Sequence, residues 1–203
     1  MSLSETITAL MNSARKHFEV SSKLTIANLI NLFNPNENLL TGAKDFSGDW
    51  TIDASYHEDG TYKGMKVYKT NRAWNGIFQT YTCKAGKTYT FSFYAREENN
   101  TDNLVATAYI RKGGDATKCF SSITSQNFML QPEWKRYSVT FTMNQDWELA
   151  PRIESNAEGI PSWRCGYKLE EGSLATPLTE LGGVTKRLLF SLVPRIGGAC
   201  YAA

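Results

Sequence analysis

The chain is poor in the residues that most often carry out catalysis. Among 203 residues there are two histidines, His17 and His57, and neither stands beside a plausible nucleophile, so Ser-His-Asp and Cys-His arrangements have thin support. His17 falls on a predicted N-terminal helix and His57-Glu58-Asp59 in a predicted polar loop. There is no H-E-x-x-H and no phosphate-cradling G-x-x-x-x-G-K-[ST]. The four cysteines, Cys83, Cys119, Cys165 and Cys200, contain no C-x-x-C and so lack the short ligand spacing of zinc sites. Their even number permits disulfides, but a chain of this length does not need them, and buried free thiols are favoured. The formal net charge is +2, with no basic run beyond pairs such as Lys135-Arg136, which excludes the concentrated positive patch of a nucleic-acid binder. No stretch approaches the roughly 20 apolar residues of a membrane span.

What is present is aromatic. Ten tyrosines, ten phenylalanines and five tryptophans make 12% of the chain, enough for a packed core and for ligand platforms. Residues 1–36 read as helical. Ser2-Leu3-Ser4-Glu5 fits a capping box. Leu3, Ile7, Leu10, Ala14 and Phe18 then follow at helical spacing, and a second short helix runs from Leu24 to Phe33 before Asn34-Pro35. Two short helices cannot build a core alone. They either cover the rest of the domain or act as an anchor or oligomerisation element, and the second reading is favoured.

From Asn38 the text changes to short β-rich runs at 50–54, 64–69, 76–82, 87–96, 103–111, 135–143, 149–154 and 163–170, separated by turn chemistry such as Ala85-Gly86 and Gly113-Gly114. Short strands without intervening helices predict a mainly β fold, an antiparallel sandwich of jelly-roll type after a helical segment. The expected division is a helical segment at 1–36, a sandwich at 37–178 and a tail at 179–203. In the central hairpin Tyr89, Phe91 and Phe93 alternate with Thr90, Ser92 and Tyr94, so one face is apolar while the other carries hydroxyls, Tyr94 and Arg96. Tyr137, Val139, Phe141 and Met143 alternate in the same way.

A polar sheet face with rings and guanidinium groups suits a saccharide, whose apolar C–H face lies on a ring while donors and acceptors meet its hydroxyls. The candidate binding residues are Trp74, Tyr94, Arg96, Tyr109, Arg152, Trp50 and Trp163, expected to share one surface. Trp134 is expected to pack in the core. Asp45, Asp49, Asp53, Glu97, Glu98, Glu154 and Glu170 could supply a hydrolytic pair on paper, but that chemistry needs a defined separation. No catalytic residue is assigned, and the chain is read as a non-enzyme.

Several motifs occur in a recognisable order. Asn38-Leu39-Leu40 with Phe46-Ser47-Gly48 and Trp50 resembles the opening of jelly-roll carbohydrate-binding modules. Trp74-Asn75-Gly76-Ile77-Phe78-Gln79 and Ala85-Gly86-Lys87-Thr88-Tyr89 look like their central hairpin. Trp134-Lys135-Arg136-Tyr137 and Lys168-Leu169-Glu170-Glu171-Gly172-Ser173, with Ala175-Thr176-Pro177, resemble their ending, notably in tail, baseplate and receptor-binding proteins of phages infecting Gram-positive bacteria. Leu178 departs from that ending, where Trp is common. The start SLSETITALMN with Lys23-Leu24-Thr25-Ile26-Ala27 is similar to accessory baseplate proteins of lactic-acid-bacteria phages.

The resemblance implies a virion protein that touches host cell-wall saccharide through its sandwich and joins other baseplate proteins through its N-terminal helices, with a homo-oligomer left open. The absence of a basic n-region and an apolar h-region at the start fits a protein made in the host cytoplasm. The resemblance also brings a structural calcium near the first and last strands, where Asn38, Asp45 and Glu170 offer oxygens. Hard cations take six to eight oxygens, and that set is not legible, so no cofactor or metal is assigned. Two other readings stand beside this one: a purely structural assembly protein, and the ancillary domain of a cell-wall hydrolase.

Overall fold

The computed structural model describes residues 2–19, 23–33, 35–98, 104–111 and 119–178, with the side chains of Phe33, 104–111 and 119–122 outside that description. The tail expected at 179–203, with Cys200, lies outside the described residues. Among the described residues two helices, α1 (Leu3–Phe18) and α2 (Ile26–Phe33), precede eleven strands. The capping box forms as the sequence predicts. Glu5 N–H donates to the Ser2 hydroxyl at 3.3 Å while Ser2 N–H donates to the Glu5 carboxylate at 2.7 Å. Ala14, Leu24 and Leu32 are the buried seam between the helices, with Phe18, Leu29 and Leu174 against them. Leu3, Leu10, Ile26 and Ile30 stay exposed.

The strands form two antiparallel sheets. The first, sheet A, runs β1 (Thr51–Ile52), β4 (Gly76–Phe78), β10 (Trp147–Ser155), β7 (Leu104–Arg111) and β8 (Cys119–Phe128), with β5 (Tyr81–Cys83) also paired to β10. The second, sheet B, runs β2 (His57–Tyr62), β3 (Met65–Thr70), β11 (Ser162–Glu171), β6 (Thr88–Glu97) and β9 (Lys135–Thr142). The core lies between them. Tyr89, Phe91 and Phe93 of β6 pair across the ladder with Phe141, Val139 and Tyr137 of β9 and meet Ile77, Leu149 and Ile153 from sheet A. Each such ring or aliphatic side chain taken out of water stabilises the fold by about 1.5 to 3 kcal/mol.

Three differences from the sequence reading have physical causes, and β11 adds an irregularity. His57-Glu58-Asp59 is strand rather than loop: β2 is an edge strand whose first five residues are all exposed, so it has no alternation to read. Strand β8 was not anticipated because its sequence, CFSSITSQNF, is mostly polar. The run 76–82 is two strands, both paired to β10. In β11 a register shift between Cys165 and Lys168 lets residues of both parities be buried. Gly166 sits in that shift at φ 62°, where a Cβ would come within 2.6 Å of the Met65 sulfur. Glycine accepts this left-handed backbone without steric penalty.

Candidate saccharide-binding faces

The seven candidate residues do not share one surface. Sheet A places Arg152 on the face away from the core, where a Cβ on Gly76 would come within 2.8 Å of its Cδ. The bare glycine leaves room for the Arg152 chain to cross β4 and lie over Phe78, 5.6 Å from the ring centroid. Glu154, two residues on and therefore on the same face, pairs with Arg152 at 2.6 Å, and both side chains are largely buried. Tyr109 pairs with Ala150 in the β7–β10 ladder, but its side chain lies outside the described residues.

Trp74 stands at the margin of this sheet, 61% exposed. Its backbone is in the left-handed region at φ 59°, a conformation that costs a non-glycine residue roughly 1–2 kcal/mol. Several bonds fix it there. Trp74 N–H donates to the Ser155 carbonyl at 2.8 Å, and Ala73 N–H donates to Glu158, which also pairs with Arg72. The Tyr56 hydroxyl donates to the Asn75 carbonyl at 2.8 Å and receives the guanidinium of fully buried Arg164 at 2.6 Å. The ring is thus left largely outside the packed core on a well-anchored loop.

Tyr94, Arg96 and Trp163 belong to the outer face of sheet B, on the opposite side of the sandwich. Trp163 is buried, its indole N–H donates to Asp59, and its ring is flanked by Arg96 at 4.1 Å and Lys69 at 4.5 Å. Tyr94 is half-buried, with Tyr62 edge-on and the Lys63 ammonium 4.8 Å above its ring, and burial raises its phenol above the ordinary value. These rings are already engaged by cations, which leaves little face for a sugar. Trp134, expected in the core, lies on this face too, stacked on Tyr62 at 4.5 Å. Trp50 packs edge-on against Phe46 and Tyr167 and donates its indole N–H to the Thr41 carbonyl.

A polar cluster ties residues 175–177 to the same face of sheet B. The Arg136 guanidinium donates to the Ser92 hydroxyl and to the carbonyls of Ala175 and Thr176. The Lys168 ammonium, fully buried, donates to the Thr176 hydroxyl and the Pro177 carbonyl, both at 2.7 Å, and lies 3.4 Å from Glu170. Burial lowers Lys168 to about 8 and raises Glu170, each toward its neutral form.

These donors do not fit calcium. The Glu170 carboxylate already accepts from the Thr176 N–H and hydroxyl and faces an ammonium. Asn38 Oδ1 accepts from the Leu40 and Leu169 N–H groups, and Asp45 caps Ser47 at the surface. Among the described residues no group of three or more His, Cys, Asp and Glu could hold a metal. Cys83 and Cys165 are free and buried, their thiols pushed up to about 12 by burial.

Residues 36–156 match the model of the family described as Carbohydrate binding domain, CBM_4_9. The chain belongs to that family. The match spans more than half its length and includes the stretch from Asn38 through Trp134. As a carbohydrate-binding domain it is a member of a binding family rather than a catalytic one. Similar solved structures include the "Family 16 Carbohydrate Binding Module-2", 16% identical over 65% of this chain and 99% of that one at a TM-score of 0.50. Another is the CBM22-1 xylan-binding domain of Paenibacillus barcinonensis Xyn10C, 15% identical over 69% and 97%, TM-score 0.47. A third is the enzymatically active domain of bacteriophage CBA120 tailspike protein 4, 14% identical over 66% and 21%, TM-score 0.46. At these identities the likeness is one of fold alone. No curated protein matches the sequence.

Proposed function

We propose that this carbohydrate-binding domain holds a saccharide chain non-catalytically at the outer face of sheet A, with the Trp74 ring as its stacking platform. Arg152 and Glu154, beside Phe78, supply the polar side of the site, and Tyr109 lies on the neighbouring strand. Trp74 carries the reading, because a largely exposed tryptophan held at positive φ adds nothing to the core, and backbone strain of this kind gathers where a side chain has a task. A shallow site with one ring should bind weakly, roughly in the millimolar to micromolar range.

Such a domain serves by delivering whatever it is attached to. The ancillary module of a cell-wall hydrolase is the setting that family membership fits with the fewest additions. The second setting, a phage baseplate or tail component that assists adsorption, is supported by the resemblance of residues 1–27 to accessory baseplate proteins. There the exposed Leu3, Leu10, Ile26 and Ile30 of α1 and α2 would meet virion partners. Pull-down on purified bacterial cell walls tests the shared reading: the chain is retained and Trp74→Ala is not. Retention of both alike would remove Trp74 from the site, and retention of neither would remove the function. Deleting residues 1–34 should leave wall binding intact while abolishing attachment to a larger assembly.

A further inference from the structure

The outer face of sheet B carries a row of side chains that saccharide stacking does not use. The register places His57 opposite Lys69, Lys69 opposite Trp163 and Trp163 opposite Arg96 across β2, β3, β11 and β6. Trp134, immediately before β9, extends the row, with Arg96 5.8 Å from its ring centroid. Side chains at facing positions of antiparallel strands share a face, so two permanent cations and a histidine line up beside two indoles. Lys69 and Arg96 both stand within 4.5 Å of the Trp163 ring centroid.

Among the described residues neither Lys69 nor Arg96 has a carboxylate in ion-pairing range. Asp59 accepts from the Trp163 indole N–H, so the row sets two cations against one carboxylate, while Glu98 and Glu133 are exposed. The Arg96 guanidinium carbon lies 4.1 Å from the Trp163 ring centroid, and the planar fork of a guanidinium matches an oxyanion with two parallel hydrogen bonds. Lys69 adds a second positive charge beside it.

We propose that this row is an anion subsite, separate from the saccharide face of sheet A, which takes the charged group of an acidic polysaccharide. A phosphodiester and a carboxylate share the required chemistry. A polysaccharide is favoured over a nucleic acid because the chain belongs to a carbohydrate-binding family and its net charge is only +2.

The test is calorimetric titration of the full chain, at low ionic strength, with four polymers: poly(glycerol phosphate), polygalacturonate, neutral dextran and a single-stranded oligothymidine. Binding is expected to poly(glycerol phosphate), to polygalacturonate or to both, the pair separating phosphodiester from carboxylate. Lys69→Gln and Arg96→Gln should each weaken that binding at least tenfold with an unchanged melting temperature, and Arg96→Lys should not restore it. Trp74→Ala should leave it unaltered, which separates failure of this subsite from failure of the sheet A reading. Added salt should weaken it as the charges are screened. The proposal is overturned if neither acidic polymer binds, if the folded variants bind as tightly as the original chain, or if the oligothymidine binds equally well.

Discussion

Replacing Lys168 by methionine should change the pH dependence of stability in a direction fixed by the structure. The ammonium is fully buried between β11 and residues 175–177, and burial lowers it from 10.5 to about 8. Between those values the unfolded chain keeps a proton that the folded chain has released, so stability rises with pH through that window. A displacement of this size corresponds to about 3 kcal/mol, the whole of it gained between pH 8 and 10.5. Below pH 8 the charged form is carried at that net disadvantage, which would be larger without its hydrogen bonds to Thr176 and Pro177 and the nearby Glu170. Lys168→Met lacks the titration. The stability of the original chain minus that of the variant, from urea unfolding at pH 7, 8, 9 and 10, should therefore climb with pH. Taking the difference cancels the contributions of ionisable groups that the two proteins share. A difference that stays flat or falls across that range would refute the reasoning, because it would mean that Lys168 keeps an ordinary affinity for its proton in the fold.

Other expectations concern single positions. Gly166→Ala forces a side chain into a left-handed position against the Met65 sulfur and should destabilise by on the order of 2 to 4 kcal/mol in chemical unfolding. Cys83 and Cys165, with thiols pushed up to about 12, should resist iodoacetamide at pH 8 until denaturant is added, as read by peptide mass mapping. Tyr56→Phe removes the hydroxyl that links Arg164 to the Asn75 carbonyl. It should loosen the Trp74 loop, seen as faster amide exchange at residues 73–76, and weaken saccharide binding several-fold.

Legibility in the sequence followed burial. The strands β6 and β9 could be read because each buries one face and wets the other, which imposes a period of two. Helix α1 could be read because its cap and stripe are local. The exposed edge β2 and the polar β8 show no such period, and the space that requires glycine at 166 is bounded by Met65, about a hundred residues earlier in the chain. Within the site, the alternation of Arg152 and Glu154 was visible, but its placement opposite Tyr94 and Arg96 was not. That depends on β10 pairing with β4, β5 and β7 while β6 pairs with β9 and β11, contacts between segments far apart in sequence. Nor does sequence distinguish an exposed tryptophan such as Trp74 from buried Trp163, since the ring itself suits either place.

The most direct measurement is chemical-shift mapping of the isotope-labelled chain during titration with soluble cell-wall oligosaccharide. Perturbations gathered at the Trp74 indole, Gly76 and residues 150–154 are the predicted result. Shifts confined to Tyr94, Trp134 and their neighbours on sheet B, or none at saturating sugar, would contradict a saccharide site on sheet A.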